Sequence, residues 1–104
     1  MAEWLRACDV NFVPDHEGRC VRLGNEDIAI FKVDGEFFAL ADHCPHGDGR
    51  LSEGWVENGE VECPLHQSRF NLVTGAVQCP PARDDARFFQ IRCDGENVMV
   101  QLGD

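Results

Sequence analysis

The chain has 104 residues, enough for one domain with a single modest core. Its 19 acidic and nine basic residues leave a formal charge of −10. That balance argues against nucleic acids and anionic membranes as partners, because both attract basic surfaces. The first residues lack the basic region and apolar stretch of a secretory signal, so we expect a cytoplasmic protein. Six cysteines in such a chain indicate metal or redox chemistry more than a disulfide framework.

Strand and turn signals follow one another along the chain. Weak strand candidates at residues 4–7 and 20–23 come first, and three hairpins with Asp-Gly or Asn-Gly turns account for most of the remaining pattern. The hairpin strands are 28–33 with 36–40, 55–57 with 60–62, and 87–93 with 97–102, and their turns are Asp34-Gly35, Asn58-Gly59 and Asp94-Gly95. No window has a convincing helical period with caps. The sequence therefore predicts an all-β antiparallel sandwich or small barrel.

Composition changes in the middle of the chain. Residues 42–82 contain three of the four histidines, four of the five prolines and three of the six cysteines. The flanking parts have ordinary strand patterning. We therefore expect a single domain, 1–104, in which a base domain (about 1–41 and 83–104) carries an inserted functional subdomain (about 42–82).

Two short motifs in this region carry ligands suited to a metal. Sixteen residues separate Cys44-Pro45-His46 from Cys63-Pro64-Leu65-His66. The hairpin turn at Asn58-Gly59 lies between the motifs and would fold them towards each other. Two thiolates and two imidazoles would then converge on one site.

Three interpretations of these motifs compete. Coincidence is disfavoured, because a paired Cys-Pro and His pattern rarely arises by chance. A Cys2His2 zinc site of an interaction module would use the same four ligands, although zinc ribbons more often have C-x-x-C pairs. The third interpretation is a two-iron cluster in which two histidines replace two cysteines on one iron.

Both motifs, at this separation, resemble those of Rieske [2Fe-2S] proteins, and the resemblance covers the whole chain. The size, the β pattern and Cys79-Pro80-Pro81-Ala82 are similar to Rieske-type ferredoxins of bacterial aromatic-ring dioxygenase systems. The resemblance implies one [2Fe-2S] cluster in a Rieske-type base domain with an inserted cluster-binding subdomain. The ligands it implies are Cys44 and Cys63 on the inner iron and His46 and His66 on the outer iron, with Pro80 and Pro81 in a loop that covers the cluster.

Several neighbouring residues would influence the shape of this site and its midpoint potential. Gly47 and Gly49 would let the first motif bend around the cluster. High-potential Rieske proteins have a disulfide where this chain has Gly49 and Leu65, and a serine and a tyrosine where it has Ser68 and Phe70. Phe70 cannot donate a hydrogen bond, which favours a lower potential, whereas Ser68 either donates one, which would partly offset this, or is a plain turn hydroxyl. The resemblance implies a midpoint potential near the low end of the Rieske range, around −150 mV.

The resemblance implies an electron carrier rather than an enzyme. It would take one electron at a time from a flavin-dependent NAD(P)H reductase and pass it to a terminal ring-hydroxylating oxygenase. We expect a monomer that docks through His46, His66, Gln67 and Pro81. The small subunit of an NAD(P)H-dependent nitrite reductase is the alternative with the same chemistry, and the zinc module is the alternative from another class.

Four cysteines remain outside the two motifs. We expect Cys8, Cys20 and Cys93 to be small buried hydrophobic residues. We expect Cys79, beside the proline pair, to be partly exposed.

Overall fold

The computed structural model describes residues 3–45, 49–65, 67–79 and 83–102. Within these ranges the chain forms ten strands and a three-residue 3-10 helix, Leu51–Glu53. The strands are β1 (Trp4–Asp9), β2 (Glu17–Leu23), β3 (Glu26–Val33), β4 (Glu36–Ala41), β5 (Trp55–Glu57), β6 (Glu60–Glu62), β7 (Arg69–Asn71), β8 (Val77–Cys79), β9 (Phe88–Asp94) and β10 (Asn97–Gln101). Across the same ranges, no helix has the length and apolar character needed to cross a membrane.

The strands form two antiparallel sheets. The six-stranded sheet has the order β1-β10-β9-β4-β3-β2, and the four-stranded sheet has the order β5-β6-β7-β8. Strands β4 and β9 are neighbours, with Ala39 opposite Phe89 and Leu40 opposite Phe88. All four strands of the smaller sheet lie between them in sequence, so the smaller sheet is an insertion into the larger one. The all-β class expected from the sequence is confirmed.

Strand β3 separates two apolar clusters. Its four central residues, Ile28 to Phe31, are fully buried. Successive side chains on a strand point to opposite faces, and here Ala29 and Phe31 join one cluster while Ile28 and Ile30 join the other. The second cluster packs against β1, β9 and β10. The first contains Leu40 and the buried residues of the inserted region, and it joins that region to the larger sheet.

Two of the predicted hairpin turns form where the sequence places them. Asp34 and Gly35 have φ of 51° and 85°, and Asn58 and Gly59 have φ of 54° and 77°. Positive φ at both central residues is the type I′ pattern, whose twist suits a two-residue hairpin. The turn at Asn58-Gly59 brings β5 and β6 together ahead of the second motif.

The sequence did not predict two short strands and the 3-10 helix, and it placed one turn a residue too early. Strands β7 and β8 and the 3-10 helix each span three residues, too few for a periodic pattern to reveal. The last hairpin turn was expected at Asp94-Gly95, but Asp94 pairs with Asn97 and still belongs to β9. Gly95, with φ of 64°, is therefore the first central residue of the turn, a position for which glycine is suited because it has no Cβ.

A close backbone approach at Gly75 ties the smaller sheet to the larger one. Gly75 lies between β7 and β8 with φ of 77°, and its carbonyl accepts a 2.8 Å hydrogen bond from the N–H of Ala86. A Cβ at Gly75 would collide with the carbonyl oxygen of Ala86, just before β9. This contact needs glycine both for the positive φ and for the space.

Gly75→Ala should therefore destabilise the fold more than Gly59→Ala, although both glycines have φ of 77°. A Cβ at Gly59 would meet nothing within 4 Å, so that variant measures the cost of φ alone, about 1–2 kcal/mol. For a domain of this size, each kcal/mol lowers the melting temperature by about 4–8 °C. Thermal unfolding, monitored by circular dichroism, shows which of the two variants is less stable. Equal melting temperatures would contradict the close approach at Gly75.

Candidate metal centre

The first motif lies in a loop that leaves β4 and returns to the 3-10 helix. The Cys44 N–H donates to the carbonyl of Gly49 over 2.9 Å, and His43 forms a β-bridge with Arg50. The Leu51 N–H donates to the carbonyl of Asp42 over 2.7 Å. These contacts close the loop at its base, so the backbone of Cys44 is held from both sides.

The second motif lies in the hairpin loop between β6 and β7. The Cys63 N–H donates to the carbonyl of Ser68 over 2.8 Å, and the Gln67 N–H donates to the carbonyl of Cys63 over 2.9 Å. Gln67 has φ of 61°, a left-handed conformation that is uncommon for a residue with a side chain. These two hydrogen bonds hold the backbone of Cys63 against Gln67 and Ser68.

The two loops touch at Gly49 and Cys63. A Cβ placed on Gly49 would lie 2.5 Å from the Sγ of Cys63 and 3.6 Å from the Cβ of Leu65. Real side chains do not approach so closely, so this position requires glycine for space. The loop that carries Cys44 therefore lies against Cys63 at Gly49.

Both motif cysteines are buried in the cluster that joins the two sheets. Cys44 and Cys63 have no exposed surface and pack in this cluster with Phe70. Ser68, beside Cys63, is also fully buried. Two buried thiols on touching loops fit a site that holds a metal group, because a thiolate in an apolar setting needs a cation to compensate its charge.

One carboxylate that the sequence analysis did not single out lies beneath the first loop. Asp42 is fully buried, and its carboxylate accepts hydrogen bonds from the Ser52 N–H (2.7 Å) and the Arg50 guanidinium (2.9 Å). Burial raises the pKa of Asp42, but hydrogen bonds from Ser52, Arg50 and Cys20 outweigh it, so the pKa lies below its usual value. The sequence signal was available: an aspartate directly follows the apolar run that ends β4.

The described ranges leave out part of the predicted site. His46, Gly47, His66, Pro80 and Pro81 lie outside the described residues, so their predicted roles stay predictions. Of the predicted docking residues, Gln67 is described, and it is exposed. Leu65, within the second motif, is 58% exposed, which leaves an apolar side chain on the surface of this motif.

The remaining cysteines only partly follow the prediction. Cys8 is buried and Cys79 is partly exposed, as expected, but Cys20 and Cys93 are exposed, so their predicted burial was wrong. Cys20 lies on β2, the edge strand of the larger sheet, and Cys93 lies near the end of the β9–β10 hairpin. No disulfide joins any of the six cysteines.

The model of the Rieske [2Fe-2S] domain family matches residues 3–99. A relative from Pseudomonas sp. (strain KKS102), the biphenyl dioxygenase ferredoxin subunit, is 44% identical over 100 residues, which cover 95% of this chain and 92% of that one. Both matches span nearly the whole chain.

Solved structures agree with these matches. The Sphingomonas yanoikuyae B1 ferredoxin superimposes with a TM-score of 0.90 at 28% identity, covering 97% of this chain and all of that one. A chain from the complex of reduced oxygenase and oxidised ferredoxin in carbazole 1,9a-dioxygenase has a TM-score of 0.86 at 31% identity. This match covers 94% of the present chain and 92% of the other.

The contacts of Asp42 and Arg50 predict an unusual pH dependence for the alkylation of the exposed Cys20 thiol. Partial burial, a hydrogen bond to Asp42 and the negative charge of Asp42 raise the pKa of Cys20 to about 11, while Arg50 opposes the shift. At pH 8 only about one Cys20 in a thousand would be a thiolate, the reactive form. Alkylation of Cys20 by iodoacetamide should therefore accelerate about tenfold per pH unit from pH 8 to pH 10.

Peptide mapping by mass spectrometry after timed alkylation measures this rate. Cys93, which is also exposed, provides an internal check that reagent reaches surface thiols. A Cys20 rate that levels off below pH 9 would contradict the proposed influence of Asp42.

Proposed function

Since the chain belongs to the Rieske [2Fe-2S] family, we propose that it is a ferredoxin that carries one electron at a time between two redox proteins. The observation that carries the proposal is the placement of Cys44 and Cys63. Both thiols are fully buried in one cluster, on two loops that touch at Gly49. When bound, a [2Fe-2S] cluster would supply one-electron redox chemistry at this place.

We propose Cys44, His46, Cys63 and His66 as the four ligands. The backbone bonds of the two loops fix where Cys44 and Cys63 present their thiols. The paired motifs place a histidine two residues after Cys44 and three after Cys63. A cluster with these ligands is preferred over a Cys2His2 zinc site because the family match supports iron and sulfide.

We propose that residues 42–82 form the cluster-binding subdomain and residues 1–41 and 83–104 the base domain. The smaller sheet and both described ligand loops fall within 42–82. Within the same subdomain, Gly47, Gly49, Ser68, Phe70, Pro80 and Pro81 would surround the cluster.

Phe70 favours a low midpoint potential, which a hydrogen bond from the buried Ser68 hydroxyl to a sulfur would partly offset. Phe70 is fully buried in the same cluster as Cys44 and Cys63, and it has no hydroxyl to donate to a sulfur. The chain contains no tyrosine at all, so a phenol cannot take this role from another position. Hydrogen bonds to the sulfurs are one of the factors that raise the potential of such clusters.

The relatives support a place in an aromatic-ring dioxygenase system. One relative is named as the ferredoxin subunit of a biphenyl dioxygenase, and one solved structure contains a ferredoxin together with its oxygenase. We propose that this chain, a cytoplasmic monomer, accepts electrons from a flavin-dependent NAD(P)H reductase and delivers them to a terminal oxygenase. The alternative nitrite reductase role would use the same cluster, but the 44% identity favours the dioxygenase system.

We propose that both partners dock at the surface around His46, His66, Gln67 and Pro81. The exposed Gln67 and the 58% exposed Leu65 support this place, because they give the second motif and the residue after it accessible surface. A carrier needs brief contacts, and small interfaces of under about 1,200 Å² suit them.

Removing either buried thiol should abolish electron transfer. Cys44→Ser and Cys63→Ser should lose the visible absorbance of the cluster, because a serine hydroxyl is a poor iron ligand, whereas Cys93→Ser should keep it. Each protein is then mixed with an NAD(P)H-dependent ferredoxin reductase and a ring-hydroxylating oxygenase, and hydroxylated product is measured.

Wild type and Cys93→Ser should support product formation, and the two ligand variants should fall to the rate without ferredoxin. Full absorbance and activity in Cys44→Ser or Cys63→Ser would refute the ligand assignment. A coloured wild-type protein that supports no turnover would refute the role in this oxygenase system.

A further inference from the structure

Asp42 is placed where the larger sheet ends and the first ligand loop begins. It directly follows β4, and its N–H donates to the carbonyl of Asp27 on β3 over 2.9 Å. Asp42 and Ser68 are the two polar residues that are buried in the described part of the chain. A buried carboxylate is costly unless it is well bonded, so its bonds indicate its role.

The bonds of Asp42 cross the loop from its entry to its exit. Its carbonyl accepts from the Leu51 N–H over 2.7 Å. Its two carboxylate oxygens accept from the Ser52 N–H over 2.7 Å and from the Arg50 guanidinium over 2.9 Å. All three donors lie on the return side of the loop, while Asp42 lies on the outgoing side. One residue therefore closes the loop through both its backbone and its side chain.

The Arg50 guanidinium extends this closure to the larger sheet. It lies 2.9 Å from the carboxylate of Asp42 and 3.8 Å from that of Asp27. The side chain of Arg50 is 51% exposed, whereas that of Asp42 is fully buried. The ion pair thus holds the return side of the loop to β3 and compensates the buried charge.

The closed loop contains the contact on which the two motifs depend. Cys44 is two residues after Asp42, and its N–H is bonded to the carbonyl of Gly49. Gly49 in turn lies against the Sγ of Cys63. If the loop opened at Asp42, both Cys44 and Gly49 would lose their fixed places relative to Cys63.

We infer that Asp42 is a positioning residue that, through Arg50 and Ser52, holds Cys44 in the geometry needed to retain the cluster. This inference rests on the proposed function, because it takes Cys44 to be a ligand. Asp42 is not itself a ligand: its oxygens are occupied by Arg50 and Ser52.

The test compares how fast holo variants lose the cluster. Wild type, Asp42→Ala, Asp42→Asn and Arg50→Gln are incubated anaerobically with a ferrous chelator, and bleaching of the visible absorbance is timed. Asp42→Ala should bleach at least tenfold faster than wild type. Asp42→Asn, which keeps one acceptor oxygen, should bleach at a rate between those of wild type and Asp42→Ala. Arg50→Gln tests the same closure from the exposed partner if Asp42→Ala does not fold.

Two matched controls separate positioning from general stability. Arg6→Ala removes a surface hydrogen bond to Asn97 (2.7 Å) between β1 and β10, two strands of the larger sheet that neighbour neither β3 nor β4. Val98→Ala weakens the cluster of apolar residues on the other face of β3. Measured well below every melting temperature, both controls should bleach within twofold of wild type. The visible circular dichroism of the cluster should change in Asp42→Ala and not in Val98→Ala.

The bleaching rates either support or overturn the positioning role of Asp42. Bleaching at the wild-type rate in Asp42→Ala and Arg50→Gln would overturn it, as would equal acceleration in Val98→Ala. A wild-type protein without iron and sulfide would refute the proposed function itself, and the inference with it. Retention of cluster in wild type with unchanged Asp42 variants would refute the inference alone.

Discussion

The two-sided burial of strand β3 is the constraint on which the rest of the molecule depends. Its central residues, 28–31, have no exposed surface, so one side packs the larger sheet and the other packs the inserted region. Large apolar side chains such as Phe31 each contribute roughly 1.5–3 kcal/mol when they are buried. The cluster with Phe31 also contains Cys44 and Cys63. The proposed metal centre would therefore rest on the same apolar contacts that hold the two sheets together.

Hydrogen bonds then fix the positions of the two loops that the apolar cluster brings close together. Hydrogen bonds at the base of each loop hold the backbones of Cys44 and Cys63, and the bonds of Asp42 close the first loop against β3. Gly49 leaves room for the Sγ of Cys63, and Gly75 leaves room for the backbone carbonyl of Ala86. Loops held in this way suit an electron carrier, because a site whose geometry changes little between redox states has a small reorganisation energy at each electron transfer.

The sequence predicted those features whose signals are local. Hairpins at Asp34-Gly35 and Asn58-Gly59 follow from the backbone preference of two adjacent residues, and the paired motifs follow from residue type and spacing. The exposure of Cys20, on the edge strand β2, and of Cys93, near the end of the β9–β10 hairpin, depends on how the strands are arranged in the sheet, which the pattern of one strand does not contain. The position of Asp42 directly after an apolar strand was visible in the sequence, but its hydrogen bonds to Arg50 and Ser52 form only when the chain folds back across the loop.

Iron and acid-labile sulfide content, measured together with zinc in the purified protein, tests the central claim most directly. The arrangement of Cys44 and Cys63, with the histidines of both motifs, predicts two irons and two sulfides per chain in a red-brown protein whose visible spectrum changes on reduction. A colourless protein with one zinc per chain and no sulfide would contradict it.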